Sequence, residues 1–230
     1  MYLTVNPVNP PTRAGSSRRG RTRGTRLRIT KAASSLFRER GYVGTTIADI
    51  AAAAGVAVQT VYFVFHTKVD VLNSVYTLAV TGEDDPAVPQ QQAWYRRAAS
   101  EPEGSAAMRL VVEGVSEILR RVAPLDLAVR TAAAGDPDAA AFLAQNEAMR
   151  ADGYREMVSF LCRKGTLRKG VTEDSATDIM LVLLSPGFYR ALAVERGWTH
   201  EEWVAWVSAV LTDRLLDPAQ GATARESDAS

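Results

Sequence analysis

Val58, Gln59, Thr60, Tyr62 and Phe63, followed by His66 and Lys68, are interleaved with Val61 and Phe65, an i, i+4 pair. At that spacing Val61 and Phe65 share one face of a helix and can meet a core, which leaves the other side chains outside. The outward set suits contact with a nucleic-acid duplex. Glutamine can pair with an adenine edge through two hydrogen bonds, Thr and Val can touch a thymine methyl, and Tyr or Lys can anchor a phosphate. Each has a plainer reading as well: Tyr62 at the edge of a core, Gln59 idle on the surface, Phe63 and Val64 packed on the rest of the chain. His66 reads as a helix-end residue near the dipole. Other chemistries lack their residues. Cys162 is the one cysteine, and with His66 and His200 it makes neither a metal-ligand set nor a nucleophile and base; no phosphate-binding loop is present. The expectation is a protein that is not an enzyme and needs no cofactor and no metal.

Three short helices must position that set. In the first, Ile29, Ala32, Ala33, Leu36 and Phe37 form one apolar stripe, with Arg28, Lys31, Arg38 and Arg40 on the wet side. Gly41 can take the left-handed conformation that ends it. Thr46 is an N-cap for a second helix, with Asp49 three residues on, and Ile47, Ile50, Ala51 and Ala54 facing inward. Gly55 permits a tight turn, and a third helix begins near Val58. These are the proportions of a helix-turn-helix, whose second helix enters the major groove.

Charge agrees with that reading. Ten of the 27 Lys and Arg residues lie in the first 40 positions against one acid, Glu39, so this segment carries +9; against the chain's total of +1, the other 190 residues carry −8. A basic head on an acidic body points to a polyanion partner, with a merely solvated tail as the alternative.

The string Gly41-Tyr42, Thr45-Thr46-Ile47, Ile50-Ala51, Ala54-Gly55-Val56, Thr60-Val61-Tyr62, Phe65 and Lys68 resembles the DNA-binding domain of the tetracycline-repressor (TetR) family, over about a fifth of the chain. The resemblance implies that a homodimer reads a double-stranded DNA operator and that the remaining chain is an all-helical domain for ligand sensing and dimerisation. It also implies that Thr46 and Tyr62 grip phosphates, that Val58, Gln59 and Thr60 lie nearest the bases, and that Lys68 starts a fourth helix while touching the phosphate backbone. The chain departs from the family pattern at Ala57, where a Ser or Thr cap is usual, at Phe63 and Val64, and at Val69. These departures favour thymine-methyl or shape recognition.

Beyond Lys68, the stripe Val71, Leu72, Val75, Leu78 and Ala79 connects head to body, and further helices are predicted at about 89–99, 105–122, 125–134, 138–164, 172–196 and 200–216. Pro186-Gly187 should kink the helix over 172–196, and Thr199 with Glu202 should cap the last one. The fold class is therefore all-α: a basic disordered arm over 1–24, a helix-turn-helix domain over 25–67, a helical effector and dimerisation domain over 68–216, and a disordered tail over 217–230. Ile179, Leu183, Trp203, Trp206, Val207, Val210 and Leu211 read as one half of a four-helix dimer bundle, with a closed core within the chain as the alternative. Trp94, Tyr95, Met108, Phe142, Met149, Tyr154, Phe160, Met180 and Phe188 are candidates for a mostly apolar effector cavity, with Arg130, Gln145 and Asn146 as polar hooks.

No apolar run approaches the ~18 residues of a membrane span, and residues 1–17 lack the apolar core of a secretion signal, so a cytoplasmic protein with no membrane partner is expected. The leading reading is a ligand-responsive repressor released from its operator by a small effector. An effector-independent architectural DNA-binding protein is the alternative, favoured by a filled body as the sensor is by a cavity. An α-helical enzyme is a weaker third.

Overall fold

The structure, a computed structural model, describes residues 13–82, 88–164 and 167–218. The fold is all-α. Helix α1 spans Arg13–Arg40, α2 Ile47–Ala54, α3 Val58–Val64 and α4 Lys68–Thr81; a 3-10 turn at Pro89–Gln91 leads into α5 at Ala93–Ser100. Then come α6 at Gly104–Gly135, α7 at Pro137–Arg163, α8 at Glu173–Leu183, α9 at Pro186–Tyr189, a π-helical turn at Arg190–Val194, and α10 at His200–Leu215.

Local chemistry sets most of these ends. Thr46 and Thr67 cap α2 and α4 in capping boxes with Asp49 and Asp70, Thr172 caps α8 with Ser175, and Thr199 caps α10 with Glu202. Gly41 and Gly55 take the left-handed conformation at φ 72° and 63°, closing α1 and α2 as their positions predicted.

Four expectations are corrected. The arm over 1–24 is not wholly irregular, because α1 begins at Arg13; residues 1–12 lie outside the described residues, as does the tail from 219 on. The helices expected at 105–122 and 125–134 are one helix, α6, with Pro124 inside it. Its apolar residues keep one register across the proline, from Val111 and Val115 to Val122, Leu125 and Val129, all buried, and that packing outweighs the missing backbone hydrogen bond. The segment 89–99 starts as a 3-10 turn at Pro89–Gln91, and α5 begins only at Ala93. The segment 172–196 is broken rather than bent within one helix: α8 and the segment Pro186–Val194 meet at 44°. At this break Ser185 accepts from the Phe188 amide (3.1 Å), starting a new helix with Pro186 at its first position. The carbonyls that the break strips of helical donors are satisfied from side chains: Ser185 donates to Val182 O (2.8 Å), Arg150 to Leu181 O (2.8 Å) and the Tyr154 hydroxyl to Leu184 O (2.6 Å).

Two apolar clusters organise the molecule. One joins the head to the body, since Ile29, Phe37, Ile50, Val61 and Phe65 share a core with Leu72 and Val75 of α4 and with Leu125 and Val129 of α6. The other fills the rest of the body between α5, α6, α7, α8 and α10. Among the described residues no single helix is long and apolar enough to cross a membrane.

Candidate nucleic-acid interface

The outward face of α3 is positioned by three neighbours. α2 and α3 turn through 101° about Gly55, inside the range of a helix-turn-helix, and Val61 and Phe65 are buried against α1 as their spacing predicted. Val58 stands at the edge and Gln59 is exposed, while Thr60 is half-buried; Tyr62 is 50% and Phe63 81% exposed. Phe63 therefore does not pack on the body. Val64 does turn inward against the head cluster.

α3 has little to hold it by itself. It is seven residues long, and Ala57 offers no side-chain cap to its first turn. Its far end is tied to α1 instead: the Arg26 guanidinium donates to Val64 O (3.0 Å) and lies 4.2 Å above the Phe65 ring. Its near end rests on α2, whose own start is fixed by Thr46. The Thr46 hydroxyl accepts from the Asp49 amide (3.1 Å) and donates to Asp49 Oδ2 (2.6 Å), while the Thr46 amide donates to the same oxygen (2.9 Å). Those two bonds from Thr46 hold the Asp49 carboxyl below its usual range. A phosphate that took the Thr46 hydroxyl as donor would have to displace Asp49.

Lys68 is also occupied. Its ammonium donates to Tyr42 O (2.7 Å) and Thr45 O (2.8 Å) and sits 4.0 Å from the Tyr42 ring, and burial lowers its pKa. Lys68 thus clamps the turn between α1 and α2 with two of its three donors, which leaves one for the expected phosphate contact. Val69, the other departure at this helix start, is buried, which accounts for an apolar residue there.

In the body, the residues expected to line an effector cavity separate. Tyr95, Met108, Tyr154, Phe160 and Met180 are buried in the body cluster. Trp94 packs so closely on α6 that a Cβ on Gly114 would meet its indole at 2.0 Å. Phe142 stacks edge-on with Tyr76, Phe188 lies beside Trp206, and Met149 is exposed. Asn146 is spent on Phe142 O within its own helix, and Gln145 is exposed. The set is therefore core and surface, not one pocket wall. The open space lies elsewhere, in a groove of about 910 Å³ between α6 and α10 lined by Arg109, Glu113, Ser116, His200, Val204 and Ser208 among others. There His200 Nδ1 meets the Tyr189 hydroxyl (2.9 Å) and its Nε2 the Ser116 hydroxyl (3.3 Å).

The expected dimer stripe also divides. Trp203, Val207 and Leu211 are fully buried within the chain against α6 and its neighbours, so a partner cannot reach them. Ile179 and Leu183 are half-buried, and Trp206 is 42% exposed, beside Phe188 and edge-on to Trp198, with exposed Val182 on α8 and exposed Val194 in the π-helical turn. Sequence reasoning missed two features. Arg26 carried no local signal, because its partner is 38 residues away. Asp126 did: it is an acid within the apolar stripe of α6, buried, hydrogen-bonded by Arg130 (3.0 Å) and paired with Arg190 (3.8 Å).

Residues 29–75 match the family model described as bacterial regulatory proteins, tetR family. No curated protein matches the chain. Among solved structures, the fold is similar to the transcriptional regulator FadR from Bacillus subtilis, in complex with stearoyl-CoA, at TM-score 0.65 and 16% identity, covering 81% of this chain and 97% of that one. It is also similar to NalD, the secondary repressor of the MexAB-OprM multidrug efflux pump in Pseudomonas aeruginosa (0.63, 18%, 86% and 99%). A third, a TetR transcription regulator from Haloarcula marismortui, gives 0.62 and 17%, covering 84% and 99%. The helix-turn-helix over residues 29–75 is thus that of the bacterial regulatory proteins, tetR family, and with the helical body joined to it the chain shares the fold of the regulators above.

Proposed function

We propose that the chain is a dimeric, ligand-responsive repressor that reads its operator with the outward face of α3. The observation that carries this reading is a bare Gln59, Tyr62 and Phe63 face on a helix whose end Arg26 ties to α1 and whose other face Val61 and Phe65 bury in the core. A rigid reading surface loses little freedom on binding, which suits sequence-specific contact. Tyr62 reaches phosphates, Thr46 reaches one on displacing Asp49 from its hydroxyl, and Val58, Gln59, Thr60 and Phe63 reach base edges.

The dimer forms through Trp206, Val210, Ile179 and Leu183 with the exposed apolar residues around them, a surface of the kind that marks interfaces. A two-fold partner then sets the two α3 helices into successive major grooves. The effector binds the body and acts through the shared core: Arg121 of α6 donates to Ala79 O (2.8 Å) at the end of α4, so a shift of α6 moves the helix that carries the clamp. The α6–α10 groove, with both charged and apolar walls, suits an amphipathic effector better than a wholly apolar one; the relative that holds stearoyl-CoA offers a ligand class to try first. The tight packing at Met108, Tyr154 and Met180 favours a second reading, a DNA-binding protein with no effector.

In vitro selection from a random duplex library, followed by footprinting, tests the proposal. We expect two-fold related half-sites centred about 10–10.5 base pairs apart or a multiple of that. No enrichment, or a single unpaired half-site, would overturn it.

A further inference from the structure

The outward face of α3 carries no ionised group. From Ile50 to Val69 the chain has no acidic residue, and the exposed side chains of α3 are Val58, Gln59, Tyr62 and Phe63. Phe63 is the barest large apolar side chain among those described. It lies one turn beyond Gln59 on a helix that cannot retract it, because Val61 and Phe65 fix the opposite face in the core. A ring so placed gains from an apolar partner.

A protein partner is a poor match. Four side chains on a two-turn helix offer far less than the roughly 800 Å² per side of a stable protein interface, and the exposed cations of α1 in the same head, Arg23 and Arg28 among them, suit a polyanion. On the major-groove edges of unmodified DNA the one apolar group is the C5 methyl of thymine. Reading by shape through a basic side chain in a narrow groove has no candidate on this face, since Arg26 is committed to Val64 O and Phe65.

We propose that Phe63 is a specificity-determining residue that packs on thymine C5 methyls, so that the half-site is marked by thymine opposite Phe63 while Gln59 reads a neighbouring base. This rests on the operator-binding reading above. The test uses the duplex recovered from the random library and a copy in which deoxyuridine replaces thymidine, a change that removes the methyl and leaves the hydrogen-bonding edges alone. Wild type should bind the deoxyuridine copy at least about fivefold more weakly. Phe63→Ala, at a position exposed enough to leave the fold intact, should bind the two copies within twofold, and Phe63→Leu should keep part of the preference. Equal binding of the two copies by wild type, an enriched site without thymine, or a full deoxyuridine penalty in Phe63→Ala would overturn the proposal while leaving operator binding standing. A library that yields no enriched sequence would remove the operator reading itself, and this inference with it.

Discussion

In α3, Phe63 stands bare one turn from Gln59 on a seven-residue helix without a side-chain cap; in α10, Trp203 lies fully buried one turn from Val207 on a sixteen-residue helix with its own capping box. Both helices advertise aromatic and β-branched residues at helical spacing. Their fates differ because α10 lies along α6 and meets α8, which cover its stripe, while α3 meets the core through the side that carries Val61, Val64 and Phe65 and leaves the rest bare. A stripe in a sequence says that a face will be covered, and the number of helices around it decides whether the cover is the chain itself or another molecule.

Truncation should separate the two helices most sharply. Trp203→Ala should cost about 3–5 kcal/mol of stability, whereas Phe63→Ala should change it by less than about 0.5 kcal/mol; denaturant melts of the two variants measure this, and similar losses would erase the contrast. By the same logic Val207→Glu with Leu211→Glu should unfold the body rather than release folded monomers.

The outer side of α10 should behave as an interface. Trp206→Glu should weaken self-association by about 2–4 kcal/mol if Trp206 anchors the contact, with helical content unchanged. Light scattering across a dilution series reads the shift, and a variant that dimerises like wild type would return Trp206 to the ordinary surface.

The two ties within the head, Arg26 on the end of α3 and Lys68 on the turn between α1 and α2, come next. Arg26→Ala should weaken operator binding by about 1–2 kcal/mol through a loosened helix end, and Lys68→Met should weaken it comparably. Arg26→Ala should not alter the salt dependence, because its guanidinium is spent inside the chain. A slope reduced by about one in Lys68→Met would mark a phosphate contact through the third donor of Lys68, and an unchanged slope would leave it a clamp alone. The smallest effect should come from Ala57→Ser, which supplies the missing cap and should stabilise the head by about 0.5–1 kcal/mol in a thermal melt.

The head was legible because its determinants are local. Thr46 with Asp49, the glycines at 41 and 55, and the Val61 and Phe65 pair each act within a few residues, and each fell where its spacing required. The body was legible in its helices but not in their joints. Pro124 and Pro186 look alike in sequence; one lies inside α6 and the other opens α9, because Ser185 can cap a new helix and a buried stripe runs unbroken past Pro124. The division of α10 between core and surface, and the grip of Arg26 and Lys68 on turns 38 and 23 to 26 residues away, are tertiary facts with no local trace.

The central claim is that the outward face of α3 reads DNA sequence. Its most direct measurement is the affinity of Val58→Ala, Gln59→Ala, Phe63→Ala as one triple variant for the selected duplex and for a random duplex of equal length. Specific affinity should fall at least about a hundredfold, as several base contacts worth about 1–3 kcal/mol each are lost together, while random-duplex binding changes little and the melting temperature holds. Undiminished specific binding, or an equal loss on both duplexes, would contradict the claim.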